Sequence, residues 1–174
     1  MPLGAAGAAG DHLDDGTDQR AAGERTVRYL RAGENAAGNA VHEEVLVDDL
    51  GDGLYRIAAT PGMVEGIAAG DIIQLDDDER FRVVRHGGNV AVQVFFRPAE
   101  EDVDDVRPAI ESLGGWLDGA DDRAVRAFTI PMSVGFPAIE AVMRSFLERH
   151  PKAEWVYGNV YDEEGRPLNW WEQA

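Results

Sequence analysis

Short apolar runs broken by polar turns fill the first half of the chain, and helical periodicity enters only in the second. "TVRYLR" (26–31) alternates well enough for a strand before the pattern lapses in "AGENAAGNA". From Val41, "VHEEVLVDDL" and "LYRIAAT" form a strand pair joined by "GDG", whose glycines suit a hairpin turn. "PGMVEGIAAGD" holds too much glycine for a stable helix and reads as a crossing loop with at most one turn. "IIQLD" and "RFRVVR" make the next pair across the acidic turn "DDE". Strands this short and this closely spaced predict a small curled, barrel-like sheet.

The second rhythm begins at residue 89. Val90, Val92, Val94 and Phe96 share one face of a strand, and "EEDVDDVRPAIESLGG" then places Val103, Val106, Ile110 and Leu113 at helical spacing. Acids crowd the start of that helix and Gly114-Gly115 stops it. Pro108 sets its regular beginning near Asp104, because a later proline removes a backbone donor. "WLDGADDRAVRAFTIPM" reads as strand, turn and longer strand. "FPAIEAVMRSFLERH" puts Ile139, Val142, Met143, Phe146 and Leu147 on one helical stripe, with Pro137 in its first turn and Pro151 beyond its end. "EWVYGNVY" is a last strand and "DEEGRPLNWW" a tail. The order β-α-β-β-α-β is that of a ferredoxin-like half, an antiparallel sheet with both helices on one face. Its other face needs a cover: the N-terminal sheet, the tail or a second subunit. The expected class is therefore α+β, with a disordered tail over 1–25, an all-β subdomain over 26–86 and a ferredoxin-like subdomain over 87–174.

"RHGGNVAVQVFF" (85–96) joins the two rhythms. Glycines after a histidine resemble the loops that supply oxyanion-hole amides in some hydrolases. Such a loop works with a G-x-S-x-G nucleophile elbow, and this chain has none. The alternative is structural: Gly87-Gly88 as the two-residue loop of a hairpin, with His86 and Asn89 flanking it. That reading is preferred.

Composition narrows the function classes. At 174 residues and 44% hydrophobic content the chain can bury a sizeable core. It has no cysteine, which excludes disulfides, thiolate metal sites and cysteine nucleophiles and suits a cytoplasmic protein. No apolar run is long enough to span a bilayer, and the N-terminus lacks the pattern of a secretory signal. The formal charge is −17. Residues 1–40 hold 6 acids and 4 arginines, so the remaining 27 acids and 12 bases leave 41–174 at −15. Such a surface repels nucleic-acid phosphates and anionic membranes and favours basic partners. It also serves plain solubility. Lys152 is the one lysine among 16 basic residues, a usage that with the wealth of Ala, Gly and Asp suggests a GC-rich bacterial genome.

Three stretches carry a family resemblance: "HEEVLVDDLGDGLYRIAATPGMVEGIAAGDIIQLD", "FRVVRHGGNVAVQVFF" and "GFPAIEAVMRSFLERHPKAEWVYGNVYDEEGRPLNWW". They resemble a bacterial family designated domain of unknown function 4265 over about residues 40–171. Phrases such as "EGIAAGD" and the glycine-led "GGN" with "AVQV" are structural. The resemblance implies a soluble bacterial protein and brings no catalytic motif with it.

Candidate chemistry is sparse. None of His12, His42, His86 and His150 pairs at the i,i+4 spacing of a helical metal site. His42 and Glu44 share a strand face and can join His86 at a metal only if the fold brings them together. The competing reading is a solvated strand end. His150, before Pro151, reads as a helix C-terminal cation. The acidic runs at 76–79, 100–105 and 162–164 fall at turns or a helix start, and none fits a calcium loop. No P-loop or dinucleotide fingerprint exists, and no cofactor is implied. Trp155, Tyr157, Tyr161, Trp170 and Trp171 gather in the last twenty residues. They either pack over the sheet as the tail folds back or stand partly exposed as a partner or ligand contact.

The leading expectation is a non-enzymatic, acidic, cytoplasmic interaction protein, of the immunity or adaptor type, that binds a basic protein partner. A homodimer is compatible with it. The alternative is a small-ligand-binding regulatory module with a pocket between the two subdomains. Third comes a metal-dependent or hydrolytic enzyme built on His42, Glu44 and His86, with Asn89 as a further polar candidate.

Overall fold

The computed structural model describes residues 23–96, 105–118 and 125–173. Two antiparallel sheets and two helices make up an α+β protein. The first sheet is a meander of β1 (Glu24–Glu34), β2 (Ala40–Gly51), β3 (Leu54–Ile57), β4 (Ile72–Leu75) and β5 (Phe81–Arg85), each hydrogen-bonded to the next. Local chemistry sets its turns. Asn35 Oδ1 accepts the amides of Ala37 and Asn39, closing the β1–β2 loop. Asp52 and Gly53 both have positive φ, 55° and 73°, as a two-residue hairpin between β2 and β3 requires. Asp76 Oδ1 accepts the amides of Asp78 and Arg80 between β4 and β5. Leu30, Val45, Val47, Ile57 and Ile73 point inward, where Val64 and Ile67 of the crossing loop complete their core.

The sheet curls but does not close, so the barrel-like expectation is corrected to an open meander. The His42 imidazole reaches Glu79 in the β4–β5 turn at 3.0 Å, and Ala32 and Phe81 pack against one core. No backbone pairing joins β1 to β5. β5 is five residues long and leaves the sheet at Arg85, so it cannot run along the eleven-residue β1. β1 also begins at Glu24, inside the expected tail, and Arg25 pairs with Asp48 at 2.9 Å. The rest of that tail lies outside the described residues.

The second sheet contains β6 (Asn89–Phe95), β7 (Trp116–Asp118), β8 (Val125–Pro131) and β9 (Glu154–Tyr157) in the order β7-β8-β6-β9. Helix α1 (Val106–Ser112) links β6 to β7, and α2 (Phe136–Arg149) links β8 to β9. Pro108 falls in the first turn of α1, where its missing amide donor does no harm. Val103 and the acids at 100–104 lie outside the described residues. The core joins Val90, Val92, Val94 and Phe96 to Ile110 of α1 and Ile139, Met143 and Phe146 of α2. Each such side chain contributes about 1.5–3 kcal/mol on full burial.

β6 is the central strand and is covered on both faces. On the face away from the helices, Gln93 Nε2 donates to the Pro61 carbonyl at 3.2 Å, and the Gly66 amide donates to the Gly158 carbonyl at 2.7 Å. The crossing loop, residues 58–71, is therefore the cover that this sheet needed. The expected β5–β6 hairpin does not form. β5 pairs only with β4, while β8 and β9 take both edges of β6. Residues 86–88 are a crossing between sheets, because a strand flanked on both sides has no edge left for a hairpin partner.

Candidate functional site

His86 and Asn89 belong to that crossing and serve it. Asp71, fully buried at the end of the crossing loop, accepts the Gly87 amide at 2.7 Å and the Ala68 amide at 2.9 Å. His86 Nδ1 lies 3.3 Å from Asp71 Oδ2, and its ring stacks on Trp170 with centroids 4.9 Å apart. Asn89 Nδ2 donates to the Ala69 carbonyl at 2.8 Å. Asn159, also fully buried, receives the Ala91 amide and donates to the Asn89 carbonyl, while Trp170 Nε1 donates to the Asn159 carbonyl. Together these bonds fasten the crossing loop, the segment after β9 and the tail around the junction of the two sheets. The hollow beside them, lined by Val84, Arg85, His86, Gly88, Trp170 and Gln173, measures about 250 Å³.

A second brace was not foreseen from the sequence. Asp118 Oδ2 accepts the Thr60 amide at 2.9 Å and the Thr129 hydroxyl in a short bond, and Asp118 Oδ1 accepts the Trp116 indole at 3.0 Å. The Thr60 and Thr129 hydroxyls lie 2.6 Å apart. All donors around this buried carboxylate are satisfied, so it locks the crossing loop to β7 and β8.

The remaining polar candidates do not converge. His42 pairs with Glu79, and Glu44 accepts the Tyr29 hydroxyl at 2.7 Å, which pushes that phenol's pKa up. His86 belongs to the crossing between the sheets. Among the described residues, no three His, Asp or Glu side chains come together as metal ligands. Glu43, between His42 and Glu44, faces inward and accepts the amides of Gly62, Met63 and Val64 at 2.7–3.0 Å. His150 caps α2 as expected and, with Arg149, grips Asp105 at the start of α1, at 3.0 and 2.7 Å.

The aromatic group divides. Trp170 is buried, Trp155, Tyr157 and Trp171 are half-buried, and Tyr161 is 48% exposed. Edge-on contacts run from Trp155 to Tyr157, Phe136, Trp171 and Trp170 with centroids 4.9–5.6 Å apart. The Tyr157 hydroxyl donates to Glu140 at 3.3 Å. Burial first, and then the Glu140 charge, raises its pKa. Most of this cluster is packing of the tail onto α2 and β9.

A cavity of about 650 Å³ lies where the curled sheet fails to close. Arg31, Ala32, Gly33 and Glu34 line it from β1, and Arg80 and Phe81 from the start of β5. Glu65 enters from the crossing loop and Glu163 from the tail. Arg31 and Glu34 form an ion pair. Glu65, Glu163 and Arg80 have no ionic partner among the described residues, so the cleft keeps a net negative charge. No sequence motif marks these residues, which come from four separate segments.

The family model of a domain of unknown function, DUF4265, matches residues 43–155, well over half of the chain. The chain belongs to that family. The match ends before "GRPLNWW". A crystal structure of a hypothetical protein from Neisseria gonorrhoeae is similar, with a TM-score of 0.58 and 15% identity. The alignment covers 78% of this chain and 94% of that one. At such identity the likeness is one of fold. No curated protein matches the sequence.

Proposed function

We propose that this DUF4265 protein is a non-enzymatic, cytoplasmic binding protein of the immunity or adaptor type, whose open cleft takes a basic segment of a partner protein. One observation carries the reading. Glu65 and Glu163, brought from the crossing loop and the tail, line the same 650 Å³ cavity with no cationic partner among the described residues. The overall charge of −17 supports it, since it speeds encounter with cationic proteins. The outer edges of β1 and β5 beside the cleft, unpaired among the described residues, offer backbone groups to an extended segment. The connectivity and strand order of the second half we assign to the ferredoxin-like arrangement. The hollow at Trp170 is smaller than the roughly 300–1,000 Å³ of typical small-molecule sites. The cleft is within that range, but its lining is mostly charged where such sites are mostly apolar, which favours a basic segment over a small apolar ligand.

Calorimetry with an arginine- and lysine-rich peptide tests the proposal. The wild type should bind it above a glutamine-substituted control, and more weakly as salt rises. Glu65→Gln with Glu163→Gln should weaken binding about tenfold, which is ~1.4 kcal/mol. Equal affinity for the two peptides, or for wild type and double variant, would overturn the assignment.

A further inference from the structure

The outer face of the first sheet carries arginines that no acid among the described residues pairs with. Strand register aligns Arg25, Asp48, Arg56, Ile72 and Arg85 in one row across all five strands. Tyr55, Ile57, Phe81 and Val83 belong to the sheet's core, so Arg56 and Arg82 stand on the opposite face. A bulge between Ile72 and Ile73 turns both Val84 and Arg85 outward, and both are exposed. Arg56 and Arg85 therefore flank Ile72, about 10 Å apart at their Cα atoms by strand spacing. Arg82 lies one row away, opposite Gln74.

Other arginines of the same sheet are matched. Arg25, Arg28 and Arg31 pair with Asp48, Asp49 and Glu34. Arg56, Arg82 and Arg85 have no acidic partner among the described residues. The chain has 33 acids for 16 bases, so scarcity of carboxylates does not explain this. Asp48, beside Arg56 in register, is already engaged by Arg25.

We propose that this face docks a short acidic segment of a partner protein. Guanidinium forks at Arg56 and Arg85 suit carboxylates on either side of Ile72, and the exposed Val84 adds apolar contact. The net charge of −17 disfavours a long polyanion such as duplex nucleic acid but leaves room for a few carboxylates placed locally. The site is opposite in sign to the cleft and independent of it. The protein then presents two surfaces of opposite sign, as an adaptor between two partners does.

Fluorescence anisotropy at low salt tests this with a labelled short peptide of alternating acidic and apolar residues and its Asn/Gln counterpart. The acidic peptide should bind more tightly than the neutral one. Arg56→Gln with Arg85→Gln should lower its affinity about tenfold, while Glu65→Gln with Glu163→Gln, which removes negative charge elsewhere, should not lower it. If the first variant fails to fold, Arg82→Gln with Arg85→Gln gives the same reading from the sheet edge. Equal binding of both peptides, or unchanged affinity in the folded arginine variants, would overturn the proposal. So would duplex DNA binding more tightly than the peptide and losing affinity in the same variants.

Discussion

The fully buried carboxylate of Asp71 accepts the Gly87 amide at 2.7 Å, pinning the chain where it crosses from the first sheet to the second. The same carboxylate holds the Ala68 amide at 2.9 Å, so one side chain orients both the crossing loop and the crossing itself. Asp71→Ala strands two donors, at about 1–3 kcal/mol each. We expect urea unfolding to show a loss of roughly 2–5 kcal/mol, and a smaller loss for Asp71→Asn, which keeps one acceptor oxygen. A change within experimental error in the alanine variant would show that the bond is no brace.

Gly87 and Gly88 are both required, for different reasons. A Cβ on Gly87 would lie 2.4 Å from the Gly70 carbonyl carbon, a backbone atom that cannot step aside. Gly88 has open space around it but a φ of +81°. Gly88→Ala should cost about 1–2 kcal/mol and Gly88→Asn less, since asparagine tolerates that region. Gly87→Ala should be the more damaging of the two in thermal melts. The reverse order would contradict the close approach to Gly70.

Acid should loosen the contact between the helices. Burial alone would raise the Asp105 pKa, but hydrogen bonds and charge from Arg149 and His150 outweigh it and hold the carboxyl below its ordinary 3.8. A depressed carboxylate stabilises the fold above its unfolded value and loses that contribution as pH falls through the folded one. The decline should therefore appear below about pH 4. Asp105→Asn should be less stable at neutral pH and lose less on acidification. Parallel stability curves for variant and wild type would exclude this linkage.

Truncation should separate the first strand from what precedes it. Residues 1–22 contain few large apolar side chains to offset the entropy of ordering. A chain starting at Gly23 should keep the thermal midpoint of the whole protein. One starting at Thr26 loses the Arg25–Asp48 pair and the end of β1, and should melt lower. A midpoint that falls already with the shorter cut would show that the preceding residues contribute to the fold.

The sequence by itself determined the elements, because their signals are local. Alternation marked β2 and β6, helical spacing marked α2, and Asp52-Gly53 marked its turn through the backbone conformation that those residues tolerate. The order β-α-β-β-α-β was readable for the same reason. Tertiary structure decided which edges meet. Gly87-Gly88 looked like a hairpin because turn chemistry is local, but β6 gains more by pairing with β8 and β9 and burying both faces than by keeping β5 beside it. His42, Glu44 and His86 were plausible partners by residue type, and the fold gives each a different neighbour. Asp71 and Asp118 passed as ordinary acids in an acid-rich chain, since burial, unlike charge, is not written in the residue. The cleft follows from the same physics. Arg31, Glu65, Arg80 and Glu163 are far apart in the chain, and only the curl of an unclosed sheet brings them to one cavity.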